Sequence, residues 1–246
     1  MLPKYDLDKI KFSLDQETWK RGVALYEGGK VTEFEADPYG FSAVVHGGHP
    51  YRVRVSARRF DEGDCECYLG QNDELCKHMI AVAIFSLLGG KKLTEEERKK
   101  QSGIEWNGRI GTLGKDDFAR VKKSLTGALR YVKPYNGPSR TWFAYQNSLE
   151  EGCNRISAIL SDLPAGKETA KLIVDLLLRM DKKLCEGGVD DSDGTVGGCM
   201  EEMVALLQEF ARADPACIKA FRMLAGRETC FGWEEPLVAL VDKKEL

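Results

Sequence analysis

The first hundred residues and the rest of the chain follow different periods. Near the start, Ser13-Leu14-Asp15-Gln16 fits a capping box, so the pattern predicts a helix from about Asp15 to Tyr26, stopped by Gly28-Gly29. Short segments of strand character follow at Lys30 to Glu35 and Phe41 to His46, parted by the turn-forming Asp37-Pro38-Tyr39-Gly40. Tyr51-Arg52-Val53-Arg54-Val55 then alternates strictly, with Tyr51, Val53 and Val55 on one face and the arginines on the other. Gly47-Gly48 before it suits a hairpin, and a small antiparallel meander is the economical reading. Met79 to Leu88 is a mostly apolar helix ended by Gly89-Gly90, and Thr94…Glu97 opens a charged one.

Residues 101–115, with four glycines, read as a linker, and from Asp116 the period becomes helical. Phe118, Val121, Leu125, Leu129 and Val132 step by three or four, as do Trp142, Tyr145, Leu149, Cys153, Ile156, Leu160 and Leu163 up to Pro164. Lys167 to Leu184 and Met200 to Ala213 follow, Asp214-Pro215 restarts a helix, and a last short helix follows Pro236. Five or six helices on short loops suggest a bundle or a stack of helix pairs, without a fixed-length repeat. The expected architecture is an α+β module at 1–92, a linker at 93–115 and an all-α domain at 116–246.

Composition narrows the function by exclusion. With 43% hydrophobic and 30% charged residues, 246 residues are ordinary for a globular protein. The net charge of −3 offers no global attraction to nucleic acid. Nor does either part: residues 1–101 hold 16 Lys/Arg and 17 Asp/Glu, the remainder 20 and 22. Any such contact must come from a local patch. The start lacks a signal-peptide pattern and the longest apolar run, Met79 to Leu88, is too short to span a bilayer, so a cytoplasmic protein without membrane association is expected. GxSxG, HExxH and the phosphate-binding glycine loop are all missing, which argues against an enzyme.

Cysteine placement is the positive clue. Three of the eight crowd into Cys65-Glu-Cys67, eight residues, then Cys76-Lys-His78. Three thiolates and an imidazole complete a tetrahedral zinc shell with no position left for water, so the metal is expected to be structural. Residues i and i+2 of an extended segment point the same way, which lets Cys65 and Cys67 present both sulfurs together. In a helix they lie about 200° apart, so Cys76 belongs just before a helix and His78 in its first turn.

Other constellations are weaker. Arg52, Arg54, Arg58, Arg59 and Lys77 lie near the site in sequence and could grip phosphates, with Tyr51 or Tyr68 stacking on bases. A solvated strand face partly neutralised by Asp61, Glu62, Asp64 and Glu66 explains them equally simply. Asp190-Asp191-Ser192-Asp193-Gly194 fails the EF-hand spacing and is expected to be an acidic turn entering a helix. Cys185, Cys199, Cys217 and Cys230, without close pairs, are expected as buried thiols rather than a second zinc site or a disulfide. His46 and His49 flank a Gly-Gly turn, and Trp142, Phe143 and Tyr145 are expected in a core.

The Cys-x-Cys-x8-Cys-x-His pattern followed by Met-Ile-Ala-Val-Ala-Ile resembles the SWIM zinc finger, whose pattern is CxCx(n)CxH. Trp19-Lys-Arg-Gly, Tyr26-x-x-Gly29-Lys-Val31 and the Tyr51 to Val55 strand resemble the lead-in of bacterial stand-alone SWIM proteins, and the helical half resembles their C-terminal region less specifically. The resemblance implies zinc as cofactor, with either nucleic acid (DNA ahead of RNA) or a protein such as a helicase subunit as partner.

Overall fold

The computed structural model describes residues 2–100, 103–138 and 142–245; residues 101–102 of the expected linker and the side chain of Phe143 lie outside the description. The chain divides into two compact units, Met1–Lys100 and Gln101–Leu246. The segment expected as a linker, residues 93–115, spans the boundary between these units.

In the first unit, α1 (Leu7–Phe12) and α2 (Gln16–Glu27) precede a four-stranded antiparallel sheet in the order β1-β2-β3-β4 (Val31–Ala36, Gly40–His46, Pro50–Ser56, Gly63–Cys65). The single turn α3 (Tyr68–Gln71), then α4 (Lys77–Leu88) and α5 (Glu95–Arg98) complete it. Helix α1 was not legible from period, and it changes the cap of the next helix. Ser13 closes α1, and Asp15 is the N-cap of α2, accepting from the Thr18 amide at 2.8 Å. The Thr94–Glu97 capping box forms as expected.

Alternation on the strands gives the sheet one buried face: Phe41, Ala43, Val45, Val53 and Val55 point to the core, while Ser42, Val44, Arg52 and Arg54 point away. Helix α4 packs on β2 and β3, with α2 against its other side. That placement explains why His78 through Ile84 are all buried: a helix covered on both sides has no polar stripe to show. At the α2–α4 crossing the backbones come close at Gly22, where a Cβ would lie 2.5 Å from Ile80 Cγ2. Arg98 holds α5 against α2 through Glu27 at 2.8 Å, and the Trp19 indole donates to the Arg98 carbonyl at 3.0 Å.

The second unit is helical: α6 (Lys115–Ala128), α7 (Trp142–Ser161), α8 (Lys167–Cys185), α9 (Thr195–Ala213), α10 (Ile218–Phe221) and α11 (Glu235–Glu245). Helix α7 packs on α6 and α9, α8 on α9 and α10, and α11 on α9 and α10, around a core that includes Leu149, Ile156, Ile173, Leu177, Met203 and Phe210. Residues 103–113 lie along this unit, with the Trp106 indole donating to the Leu163 carbonyl at 2.9 Å and Ile110 bridging to Ala165. Helix α9 starts five residues before the expected Met200. The Asp191 carboxylate accepts from the Val196 and Gly197 amides at 2.7 and 2.8 Å, so the acidic turn caps a helix that runs through Gly197-Gly198. Asp214-Pro215 opens a single 3-10 turn before the short α10. Tyr145 is buried as expected, whereas Trp142 is half-buried and donates to Asp190 at 3.0 Å.

One expectation is overturned. Cys185 and Cys230 are neither buried nor free: both are exposed and joined as a disulfide, with Cα atoms 6.0 Å apart. Their distance in sequence hid the pairing, because the fold brings the end of α8 beside the irregular segment before α11. Among the described residues, no helix is long and apolar enough to cross a membrane.

Candidate metal centre

Three elements, β4, α3 and α4, bring Cys65, Cys67, Cys76 and His78 together. Cys65 ends β4, which is fixed by its ladder to β3, with Cys65 opposite Val53. Cys67 is the extended N-cap of α3 and accepts from the Gly70 amide at 3.5 Å. Only glycine fits at position 70, since a Cβ there would come within 2.5 Å of the Cys65 Cβ. Asp73, at φ +59°, helps turn the chain back. Cys76 is the extended N-cap of α4 and His78 sits in its first turn, as the spacing required.

All four side chains are buried, and their donor atoms lie within 4.8 Å of one another. His78 Nδ1 faces the sulfurs, 3.7 Å from Cys65 Sγ and 3.8 Å from Cys76 Sγ. A tetrahedral shell with Zn–S near ~2.3 Å and Zn–N near ~2.0–2.1 Å has edges of roughly 3.6–3.8 Å. The residues therefore fit zinc in donor chemistry and in size. His78 Nε2 points the other way, buried and without a partner among the described residues, with Gly47 leaving room beside it. The Tyr51 ring, 4.7 Å from the imidazole, covers that side.

Electrostatics point the same way. The Cys65 thiol donates to Cys76, which pulls Cys76 below the usual thiol range despite burial, and His78 and the Met79 amide add to this. The same bond, with burial, pushes Cys65 up. The opposed shifts come from two buried sulfurs close enough to share a hydrogen bond, the place that a divalent cation takes when thiolates ligate it. From Ala57 to Cys76 only Ala57, Phe60 and the three cysteines are buried. This stretch has almost no apolar core, so the shared ligand cluster is what can hold it in shape.

The five cations named from sequence do not act as one group. Arg54 is paired with Asp37 at 2.6 Å, and Arg59 with Asp61 at 2.7 Å and Glu62 at 3.4 Å. Arg52 and Arg54 line a cleft of about 700 Å³ on the outer face of the sheet, together with Glu33, Glu35, Asp64, Glu66 and Asp73. Five carboxylates against two guanidiniums make that face acidic. Arg58 is exposed in the turn after β3. Lys77 lines a different cavity, of about 240 Å³, beside the metal ligands, with Thr18, Arg21, Tyr51, Tyr68 and Leu69. Tyr68 is 80% exposed and Leu69 39%, unusual for large apolar side chains in this unit. Arg21 was missed from sequence because it lies on α2, far from the cysteines along the chain. His46 and His49 are exposed at their turn, with His46 Nε2 3.0 Å from Thr32 Oγ1.

No curated protein and no solved structure matches the chain. The family model for the SWIM zinc finger matches residues 51–86, from β3 through most of α4, and so takes in all four cluster residues while leaving the second unit outside the match. The CxCx8CxH cluster and this match agree residue by residue: the chain carries a SWIM zinc finger.

Proposed function

We propose that the first unit is a non-catalytic binding module, stapled by zinc on Cys65, Cys67, Cys76 and His78, that docks nucleic acid on the surface beside the metal. Three cysteines and a histidine fill the coordination of a structural zinc, and a filled shell activates no water. The observation that carries the reading is the grouping of Lys77 and Arg21, the latter in an exposed pair with Glu17 at 3.2 Å, with Tyr51 and the exposed Tyr68 around one small cavity. Cations suit phosphates and an exposed aromatic face suits an unstacked base. The arginine strand named from sequence is a poorer candidate, because Arg52 and Arg54 sit among carboxylates.

The test is binding of the zinc-loaded protein to single- and double-stranded DNA and RNA across a salt series. Lys77→Ala with Arg21→Ala should weaken binding at least tenfold and flatten its salt dependence, and Tyr68→Ala should weaken single-strand binding. Salt-independent binding, or binding untouched by these substitutions, rules the reading out.

A second reading has its own observation. The acidic cleft on the outer face of the sheet supports docking of a basic protein segment, which would make the module an adaptor. Glu35→Lys with Glu66→Lys should then abolish partner capture while leaving nucleic-acid affinity intact.

A further inference from the structure

The eight cysteines divide by accessibility. Six are free and buried: three at the metal centre, and Cys153, Cys199 and Cys217 in the second unit. Burial and neighbouring groups also raise the thiol pKa of two of these, Cys153 and Cys217. A hydrogen bond to Cys199, then burial, raises Cys153 well above the ordinary thiol range, and burial, then Asp214, pushes Cys217 up to about 11. Cys185 and Cys230 are the exposed pair, and they are bonded to each other. A soluble thiol or disulfide therefore meets this pair before any other cysteine.

Their surroundings keep the two sulfurs adjacent independently of the bond. Asp181, one turn before Cys185 on α8, accepts through the same oxygen from the Cys230 amide at 2.9 Å and from the Trp233 indole at 2.9 Å. The Asp181 carbonyl lies 3.3 Å from Cys230 Sγ. Beyond Cys230, Trp233, Leu237 and Val241 are buried in the helical core. After the bond opens these contacts still hold the segment near α8, less tightly than the covalent link does, so the thiols stay at high effective concentration for closing again.

We propose that Cys185 and Cys230 form a reversible thiol–disulfide clasp, exchanging with small thiols and disulfides of the glutathione class, that locks the segment before α11 to the end of α8. In the closing direction one cysteine thiolate attacks a sulfur of the oxidised small disulfide and expels one small thiolate. The second cysteine thiolate then attacks the protein sulfur of the mixed disulfide and expels the other. Two protein thiols lose two protons and two electrons, and one small disulfide is reduced to two thiols. Opening is the same sequence reversed, with the small thiol as reductant. The same atoms, with the Asp181 carboxylate, are close enough to hold a metal once reduced. The clasp is favoured because the sulfurs are bonded to each other and one Asp181 oxygen already accepts two N–H groups.

The test equilibrates the full-length, zinc-loaded protein in glutathione mixtures from fully reduced to fully oxidised, then blocks free thiols, maps peptides by mass and measures hydrogen exchange. One disulfide, Cys185 to Cys230, should form and break within that range, with one zinc per chain throughout. Exchange in peptides covering residues 225–240 should quicken severalfold on reduction, and Cys230→Ser and Cys185→Ser should each show the quickened pattern in every mixture. Both thiols still free in the most oxidising mixture, or a bond that survives the most reducing one, overturns the clasp. So does unchanged exchange at 225–240. A second zinc in the reduced protein, lost in Cys230→Ser, would instead assign the atoms to a metal.

Discussion

The two units solve the same folding problem with different means. The helical unit draws on period alone: α7, α8 and α9 each bury one stripe, and the stripes meet in a continuous core with Leu149, Leu177, Met203 and Phe210 fully enclosed. The first unit has such a core only where α4 lies between the sheet and α2. The part around the metal is built from the opposite kind of sequence, a stretch of polar residues with three cysteines as nearly all of its buried side chains. Conformational entropy costs about 1–2 kcal/mol per ordered residue, and such a stretch has little hydrophobic burial to offset it. The metal offsets it instead. A surface of exposed polar and aromatic residues can then be presented in fixed form, which an apolar core could not do without burying those side chains.

The largest effect that separates the units is metal removal. Structural zinc sites carry apparent binding free energies on the order of 10–16 kcal/mol in small fingers, more than most domains have in total stability. Chelation, or Cys76→Ser, should therefore abolish ordered structure around residues 57–78 and lower the first unit's melting transition by tens of degrees. The second unit's transition should stay where it was, because the two cores share no residue. Calorimetry of the full chain with zinc counted by atomic absorption checks this. A single transition that moves as a whole would break the comparison, and zinc-free protein with an unchanged first transition would remove the metal from the fold.

The converse perturbation is Phe210→Ala. The ring is fully buried on α9, with its centroid 5.0 Å from that of Trp106. Truncating a buried Phe costs about 3–5 kcal/mol. The second unit's transition should fall accordingly while zinc content and the first transition hold.

What could be read in advance follows the same division. The ligand set was legible because its chemistry dictates spacing: Cys65 and Cys67 had to be extended, and Cys76 had to precede a helix. The helices of the second unit were legible because each carries its own stripe. Contacts between residues distant in sequence were not legible. Nothing local marks Arg21 as a neighbour of Lys77, or Cys185 as a partner for Cys230. Nor does the alternation of β3 reveal that Glu33, Glu35 and Asp73 gather around Arg52 and Arg54, since those come from β1 and from the turn before α4. Helix α1 was missed because six residues give period too little room, and Asp15 displaced Ser13 as a cap once α1 took Ser13 for its own end.

A third prediction concerns how closely the apolar part of the first unit is packed. By helix propensity alone, Gly22→Ala on α2 should stabilise by about 1 kcal/mol. The crossing with α4 says otherwise, since the new methyl would sit 2.5 Å from the Cγ2 and 2.8 Å from the Cβ of the buried, β-branched Ile80. Neither atom is the end of a flexible chain, so the helices must part, at a cost of roughly 1–3 kcal/mol. The net expectation is a loss on the order of 1 kcal/mol, read as a lower denaturant midpoint for the first unit with zinc kept bound. A gain in stability would mean that the crossing is slack.

The smallest effect tests whether charge contributes to this unit's closure apart from the metal. Glu27 accepts from the Arg98 guanidinium at 2.8 Å and from the Leu93 amide at 3.3 Å, tying α5 to α2. The hydrogen bond from Arg98 is the main cause that lowers the Glu27 pKa from its ordinary value. A depressed folded pKa contributes stability above the unfolded value that is lost as pH falls through the folded one. The pair is partly exposed to solvent, so Glu27→Gln should cost well under 1 kcal/mol at neutral pH. The cost should shrink in 1 M salt, which screens the guanidinium but does not disturb the thiolate shell. A cost of several kcal/mol, unmoved by salt, would make α5 a structural clamp of the first unit comparable to its zinc.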